Sequence, residues 1–228
     1  MRPRSFVPLV AMSVAGLLPS TTQGQSRLID EGTFVVLKGG APARTENFRI
    51  SRGQAGTITA TSSLTVGGQQ TTSSLTTDTL GSPLIYEVRV REKGAKVIDL
   101  KAVARAGRLT SMASSQSGDE AMREYPVTPG KSLIVEPGLL HQLFFVPLGK
   151  GPGTFQVIEP RAARTTSATL TAKGLEPVEI AGHNVTGTHY SLTVGPARYE
   201  FWVDAKGRLL RVDFPAEGLS ATRDEPPR

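Results

Sequence analysis

Tyr199-Glu-Phe-Trp-Val-Asp-Ala-Lys-Gly-Arg-Leu-Leu-Arg-Val-Asp-Phe214 reads as two strands joined by a tight, glycine-closed turn, and it sets the fold class. Asp204 can accept hydrogen bonds from the main chain of the turn, and Gly207 can take the positive φ that a type I turn followed by a bulge requires. β-Favouring residues flank both. With Gly207 in the bulge, cross-strand pairing sets Val203 opposite Leu209 and Trp202 opposite Leu210, so both faces carry large apolar residues. A half-exposed sheet keeps one face polar. Either both faces of this hairpin are covered, or one lines a cavity of the kind a curved sheet forms around an apolar ligand.

Upstream, the same rhythm dominates from Thr33 onward. Residues 33–37 and 47–51 are separated by Gly39-Gly40 and Pro42, and predict a first strand pair. Residues 57–66 and 69–77 are rich in serine and threonine and meet at Gly67-Gly68. The alternation of Ile58, Ala60, Leu64 and Val66 favours a polar hairpin there over a disordered linker. Leu84, Tyr86, Val88 and Val90 alternate with Glu87, Arg89 and Arg91, giving one dry and one wet face. Past Gly94 the pattern continues through Ile98, Leu100 and Ala102, then through residues 109–114 and 122–127. Connections this short cannot hold crossover helices, so the strands form an antiparallel meander.

One segment departs from the rhythm. Leu139, Leu140, Leu143 and Phe144 recur at helical spacing between Pro137 and Pro147, predicting a short helix of about two to three turns. It would cover a sheet face or, through Phe144 and Phe145, plug the mouth of a curved sheet. Strands resume at residues 153–159, 167–172, 177–180 and 185–194, and the polar residues 217–228 read as an extended or disordered tail.

The amino terminus carries Arg2 and Arg4, an apolar run over residues 6–18 and a small, polar stretch to residue 26, the pattern of a secretory signal peptide spanning residues 1–24. The run is well short of the roughly 20 residues that span a bilayer. Cysteine is absent, which removes disulfides, thiolate metal sites and a lipid-modified cysteine. Export without cysteine points to a bacterial periplasm or exterior. Residues 25–216 then form a single β-rich domain, with no membrane span in the mature chain. The formal net charge is +6, and two of those charges leave with the signal peptide. The remaining basic residues are scattered and diluted by acids, unlike a nucleic-acid surface.

The residues nominate no catalytic group, metal ligand set or cofactor. His183 and His189 would share a strand face about 20 Å apart unless the chain bends at Gly187, and His141 sits among apolar residues. The sequence has no Gly-x-Ser-x-Gly elbow and no phosphate-binding glycine loop. Binding remains, with Tyr86, Val88, Phe144, Phe201 and Trp202 as candidate contacts for a lipid or other apolar small molecule on the concave side. The rival expectation is an assembly protein that meets envelope proteins through sheet edges and loops without a cavity. A third, a hydrolase, would need a dispersed active site.

The ending Gly182-x7-Tyr190, Phe201-Trp-Val-Asp204 and Gly207-Arg-Leu-Leu-Arg-Val212 resembles exported bacterial domains of unknown function, most strongly over residues 179–223. Their shape is similar to the lipoprotein carriers LolA and LolB, whose curved sheet forms an incomplete barrel around acyl chains. The resemblance implies a mainly β fold, a curved antiparallel sheet or incomplete β-barrel with one short helix, and a non-enzymatic carrier. It carries over no catalytic residue, and the acylated cysteine of LolB has no counterpart here.

Overall fold

The computed structural model describes residues 26–148 and 151–228. The expected signal peptide, residues 1–24, lies outside them. The fold is mainly β, as expected: one open, fifteen-stranded sheet among the described residues, with helical geometry confined to short 3-10 turns. The strands are β1 (Arg27–Lys38), β2 (Ala41–Arg52), β3 (Ile58–Val66), β4 (Gln69–Thr77), β5 (Pro83–Glu92), β6 (Ala95–Arg105), β7 (Arg108–Ser115) and β8 (Glu120–Pro126). They continue as β9 (Ser132–Ile134), β10 (Gly153–Glu159), β11 (Arg164–Ile180), β12 (His183–Val194), β13 (Ala197–Val203), β14 (Leu209–Phe214) and β15 (Leu219–Arg223).

Strands consecutive in sequence pair antiparallel, except that β9 lies parallel to β10 and that β8 and β9 do not pair. Two-residue turns drive this meander; Lys93-Gly94, with φ of +49° and +84°, has the doubly left-handed backbone whose twist matches the flanking strands. The spatial order runs from β8 back to β1, then from β15 back to β9. The two edges, β8 and β9, are therefore consecutive in the chain. Residues 127–131 join them, a link that can reach about 17 Å when extended. So short a link requires the sheet to roll until its edges face one another across a seam.

Residues 217–228 do not fray as a tail. They contain β15, which pairs with both β1 and β14. Arg223 makes paired bonds of 2.9 and 3.0 Å to the Asp30 carboxylate, and both side chains are buried. A bidentate pair of this kind fixes register as well as proximity, and it ties the first strand to the last.

The predicted helix is corrected in type and length: it is a 3-10 helix, Leu140–Phe145, with every residue buried. It packs inside the rolled sheet between β3 and β14. Leu140, Leu143, Phe144 and Phe145 join one core with Phe34, Tyr86, Val88, Phe201 and Val212. Its side chains thus cover the inner face of the sheet and fill its middle, as a plug of the core.

At the closing hairpin, Gly207 has φ of +79° and Asp204 accepts bonds from the amides of Lys206 and Arg208, both at 2.9 Å. Val203 faces Leu209 as predicted, but Trp202 faces Arg211 rather than Leu210. A second bulge, at Leu210, accounts for the shift, since two residues on one strand then oppose one on the other. The inner core takes Phe201, Val203, Leu209 and Val212, while Trp202 and Leu210 lie in a separate outer cluster with Val178 and Ile180. Residues 167–172 and 177–180 prove to be one strand, β11, bent by an irregularity between Ala172 and Gly174. Its far end and the start of β12 cover this outer patch. Gly187 permits the approach: a Cβ there would stand 3.0 Å from Leu210 Cδ1 and 3.2 Å from Trp202 Cβ.

Candidate ligand-binding seam

Four of the five candidate contacts, Tyr86, Val88, Phe144 and Phe201, are brought together in the inner core, and each is at most 4% exposed. Trp202 is not with them. Neighbouring residues of a strand point to opposite faces, so Phe201 inside requires Trp202 outside. There its ring stacks on His189 at a centroid distance of 4.3 Å, and its indole N–H donates to Glu176 at 3.0 Å.

His189 stands between two carboxylates, Glu176 at 2.9 Å from Nδ1 and Glu200 at 2.8 Å from Nε2. Bonds from Trp202, then His189, hold the Glu176 carboxyl below its ordinary range. Burial pushes Glu200 upward, but hydrogen bonds from Arg198, His189 and Ser191 outweigh it, leaving it lowered. This outer cluster joins β11, β12 and β13 and holds the β11–β12 end over the sheet. No cluster of three or more metal-ligating side chains occurs among the described residues.

A second ionic cluster anchors the plug. Glu46 of β2 and His141 are both fully buried, with Glu46 Oε1 2.7 Å from His141 Nδ1. Glu46 also accepts the amides of Leu140 at 2.8 Å and His141 at 3.2 Å. One carboxylate therefore meets amides that the first turn of a helix leaves unpaired. Nearby, Glu136 binds Arg161 by side chain and accepts its amide at 2.8 Å, while Arg161 Nη2 donates to Pro137 O at 3.0 Å. Burial raises the Glu136 carboxyl more than Arg161 lowers it. These contacts fix a 3-10 turn, Pro160–Ala162, against the segment at Glu136 and Pro137 that leads into the plug.

That turn is one lip of the seam. β8 is the other, and Glu120 through Glu124 are exposed on both of its faces. Between the lips lies a groove of about 290 Å³, walled by Ile98, Leu100, Ala113 and Ala121 on one side and Pro160, Arg161 and Ala163 on the other, with three serines and the charged Asp119, Glu120 and Arg123 also lining it. Its apolar walls continue into the core through Leu100. A larger trough of about 460 Å³ lies alongside, bounded by Glu87, Arg89, Asp99, Lys101 and the exposed Met112 and Met122. Its more polar lining makes it the poorer receptacle for an apolar ligand.

The sequence read Ile98, Leu100 and Ala113 as strand positions and left Ala121, Pro160, Arg161 and Ala163 between strands. Ala113 and Ala121 pair across β7 and β8, where small side chains leave room. Nothing local marks β8 as an edge, because strand order follows from long-range pairing.

Comparison with known proteins agrees on the fold. Residues 150–223, which span β10 to β15, match the family described as Domain of unknown function (DUF6134). The chain is also similar to the crystal structure of a β-barrel-like protein of Domain of Unknown Function DUF1849 from Brucella abortus, with a TM-score of 0.54 at 11% identity. That likeness covers 87% of this chain and 96% of the other. No curated protein matches. No helix among the described residues is long and apolar enough to cross a membrane.

Proposed function

We propose that this chain is a non-enzymatic binding protein of the bacterial periplasm or cell exterior that takes an apolar chain of its ligand into the seam groove, without a cofactor. The observation that carries the reading is the groove itself, predominantly apolar in surface, open to solvent and continuous with the core at Leu100. An acyl chain is the ligand that a curved, incomplete barrel of the kind expected from the sequence would take, and the rolled sheet is compatible with it. The plug moves its place, since Tyr86, Val88, Phe144 and Phe201 are packed against one another behind the groove. Each methylene buried contributes about 0.8 kcal/mol before the cost of immobilisation, so a short groove implies modest affinity.

The test is titration with a naturally fluorescent polyene fatty acid. Saturable binding is expected, with loss in Ala113→Trp and Ala121→Trp variants whose circular dichroism matches the parent. Absence of saturable binding to the parent would falsify the reading. A second reading, assembly through protein contacts, is favoured by one observation: β8 presents an unpaired edge beside the exposed Met112–Met122 pair.

A further inference from the structure

The two faces of β8 differ from those of the other long strands, because most of it is covered on neither side. Its backbone polarity can be read from the bonds at its ends. The Ser115 amide donates to Asp119 O at 2.9 Å, and the Val127 amide donates to Gly107 O at 2.8 Å. Odd-numbered residues thus turn their amides toward β7, and the alternation of a strand sends those of Glu120, Met122 and Glu124 to the open edge. Among the described residues nothing pairs with them there. Pro126 falls in the same phase, where a missing N–H costs the ladder nothing.

Glu120, Met122 and Glu124 also share the outer face, which follows from their spacing of two. Met122 is 63% exposed and sits opposite Met112, itself 58% exposed. Glu124 has only a solvent-exposed contact of 3.4 Å with Arg108, a weak surface pair. The free edge therefore presents acid, thioether, acid in succession. On the inner side, the seam groove lies directly beside it, bounded by Ala121 and Pro160.

We infer that β8 accepts an extended segment of a partner protein as an added strand, one whose outward side chains run cationic, apolar, cationic and whose inward side chains enter the seam groove. This rests on the second reading of the seam given above, and it names the partner's chemistry. Main-chain bonds to Glu120, Met122 and Glu124 supply the pairing, and alternate side chains supply the selection. Antiparallel addition sets the central residue of the segment opposite Met122 with its own amide turned toward β8. A second copy of this chain is a poor occupant. Pairing β8 with itself about Met122 would set Glu120 against Glu124 of the second copy, and like charges directly opposite are unfavourable.

The probe is a synthetic peptide with the core Lys-Val-Val-Val-Lys, titrated into the full protein by fluorescence anisotropy. Saturable binding is expected, weakened about tenfold when both lysines become glutamate, from the two cross-strand charge pairs. Methylating the central amide, which faces β8, should abolish binding, whereas methylating either neighbouring valine amide should not. Met122→Pro removes only an edge-facing N–H, so it should lose the peptide while circular dichroism and melting temperature stay near the parent's. Glu120→Lys with Glu124→Lys should reverse the preference toward the glutamate peptide, which keeps the test decisive if the proline variant misfolds. Fatty-acid binding without peptide binding would overturn this inference and leave the apolar-ligand reading standing. Loss of both would sink the seam as a site. A β8-dependent dimer in sedimentation, abolished by Met122→Pro, would also overturn it, by giving the edge to a second copy.

Discussion

Glu46 shows how one residue can couple an interior to pH. Burial alone would raise its carboxyl, but His141 and the amides of Leu140 and His141 favour the charged form more, so it lies below its ordinary 4.5. A depressed folded-state pKa contributes stability above the unfolded value and loses it as pH falls through the folded value. The melting temperature should therefore drop as the pH falls below the ordinary 4.5 of the carboxyl and through its lower folded-state value. Glu46→Gln should start lower and show a shallower fall over that window; parallel acid limbs in the two proteins would exclude Glu46 as the source. Truncation to Glu46→Ala, which leaves His141 without its buried partner, is expected to cost about 3–5 kcal/mol in urea unfolding. Gly187 makes a steric point at the same scale. Gly187→Val places a branched side chain where a Cβ alone already stands 3.0 Å from Leu210 Cδ1, and overpacking of this kind costs about 1–3 kcal/mol. Unchanged stability would mean that the β11–β12 end can lift from Trp202 freely.

The elements divide the work between the two faces of the sheet. β13 and β14 were readable as a hairpin because turn chemistry is local: Asp204 and Gly207 act within the turn. The bulge at Leu210 was not, since it settles how two strands twist past one another. It turns both Leu210 and Arg211 outward, and the Arg211 guanidinium lies 5.2 Å from the Trp202 ring centre. Trp202→Ala should therefore destabilise the protein by about 3–5 kcal/mol while leaving fatty-acid and peptide binding at the seam intact. Lost binding in a folded Trp202→Ala protein would place the site on the wrong face. The plug is the complementary case. Phe145→Ala, at a position 0% exposed, should cost a similar amount, again about 3–5 kcal/mol, because the rolled sheet closes around that ring.

At the scale of the whole molecule the meander is cyclic in its neighbours, with β15 on β1 and one break between β8 and β9. A permuted chain that joins Arg228 to Ser26 and opens between Thr128 and Pro129 would keep every strand pair of this sheet. It should fold to the same far-ultraviolet circular dichroism with a lower melting temperature, because the Gly130 amide bond to Ser82 Oγ, 2.7 Å in this structure, then lies near a free end. Failure to fold would mean that the β8–β9 link, rather than the β1–β15 pair, organises the roll. The sequence by itself determined the strand-rich class, the antiparallel order of neighbours, the bounds of β4 and β10, and the turn at Gly207, because alternation and turn chemistry act over a few residues. It also marked the apolar segment around Phe144, though as a longer helix than the 3-10 plug that forms. Only the tertiary structure decided that Trp202 faces outward, that Glu46 meets His141 across 95 positions of chain, that residues 219–223 close onto β1, and that β8 is left at an edge. Each of these depends on which distant strands become neighbours, and that is fixed by how the sheet rolls around its plug to bury one continuous core.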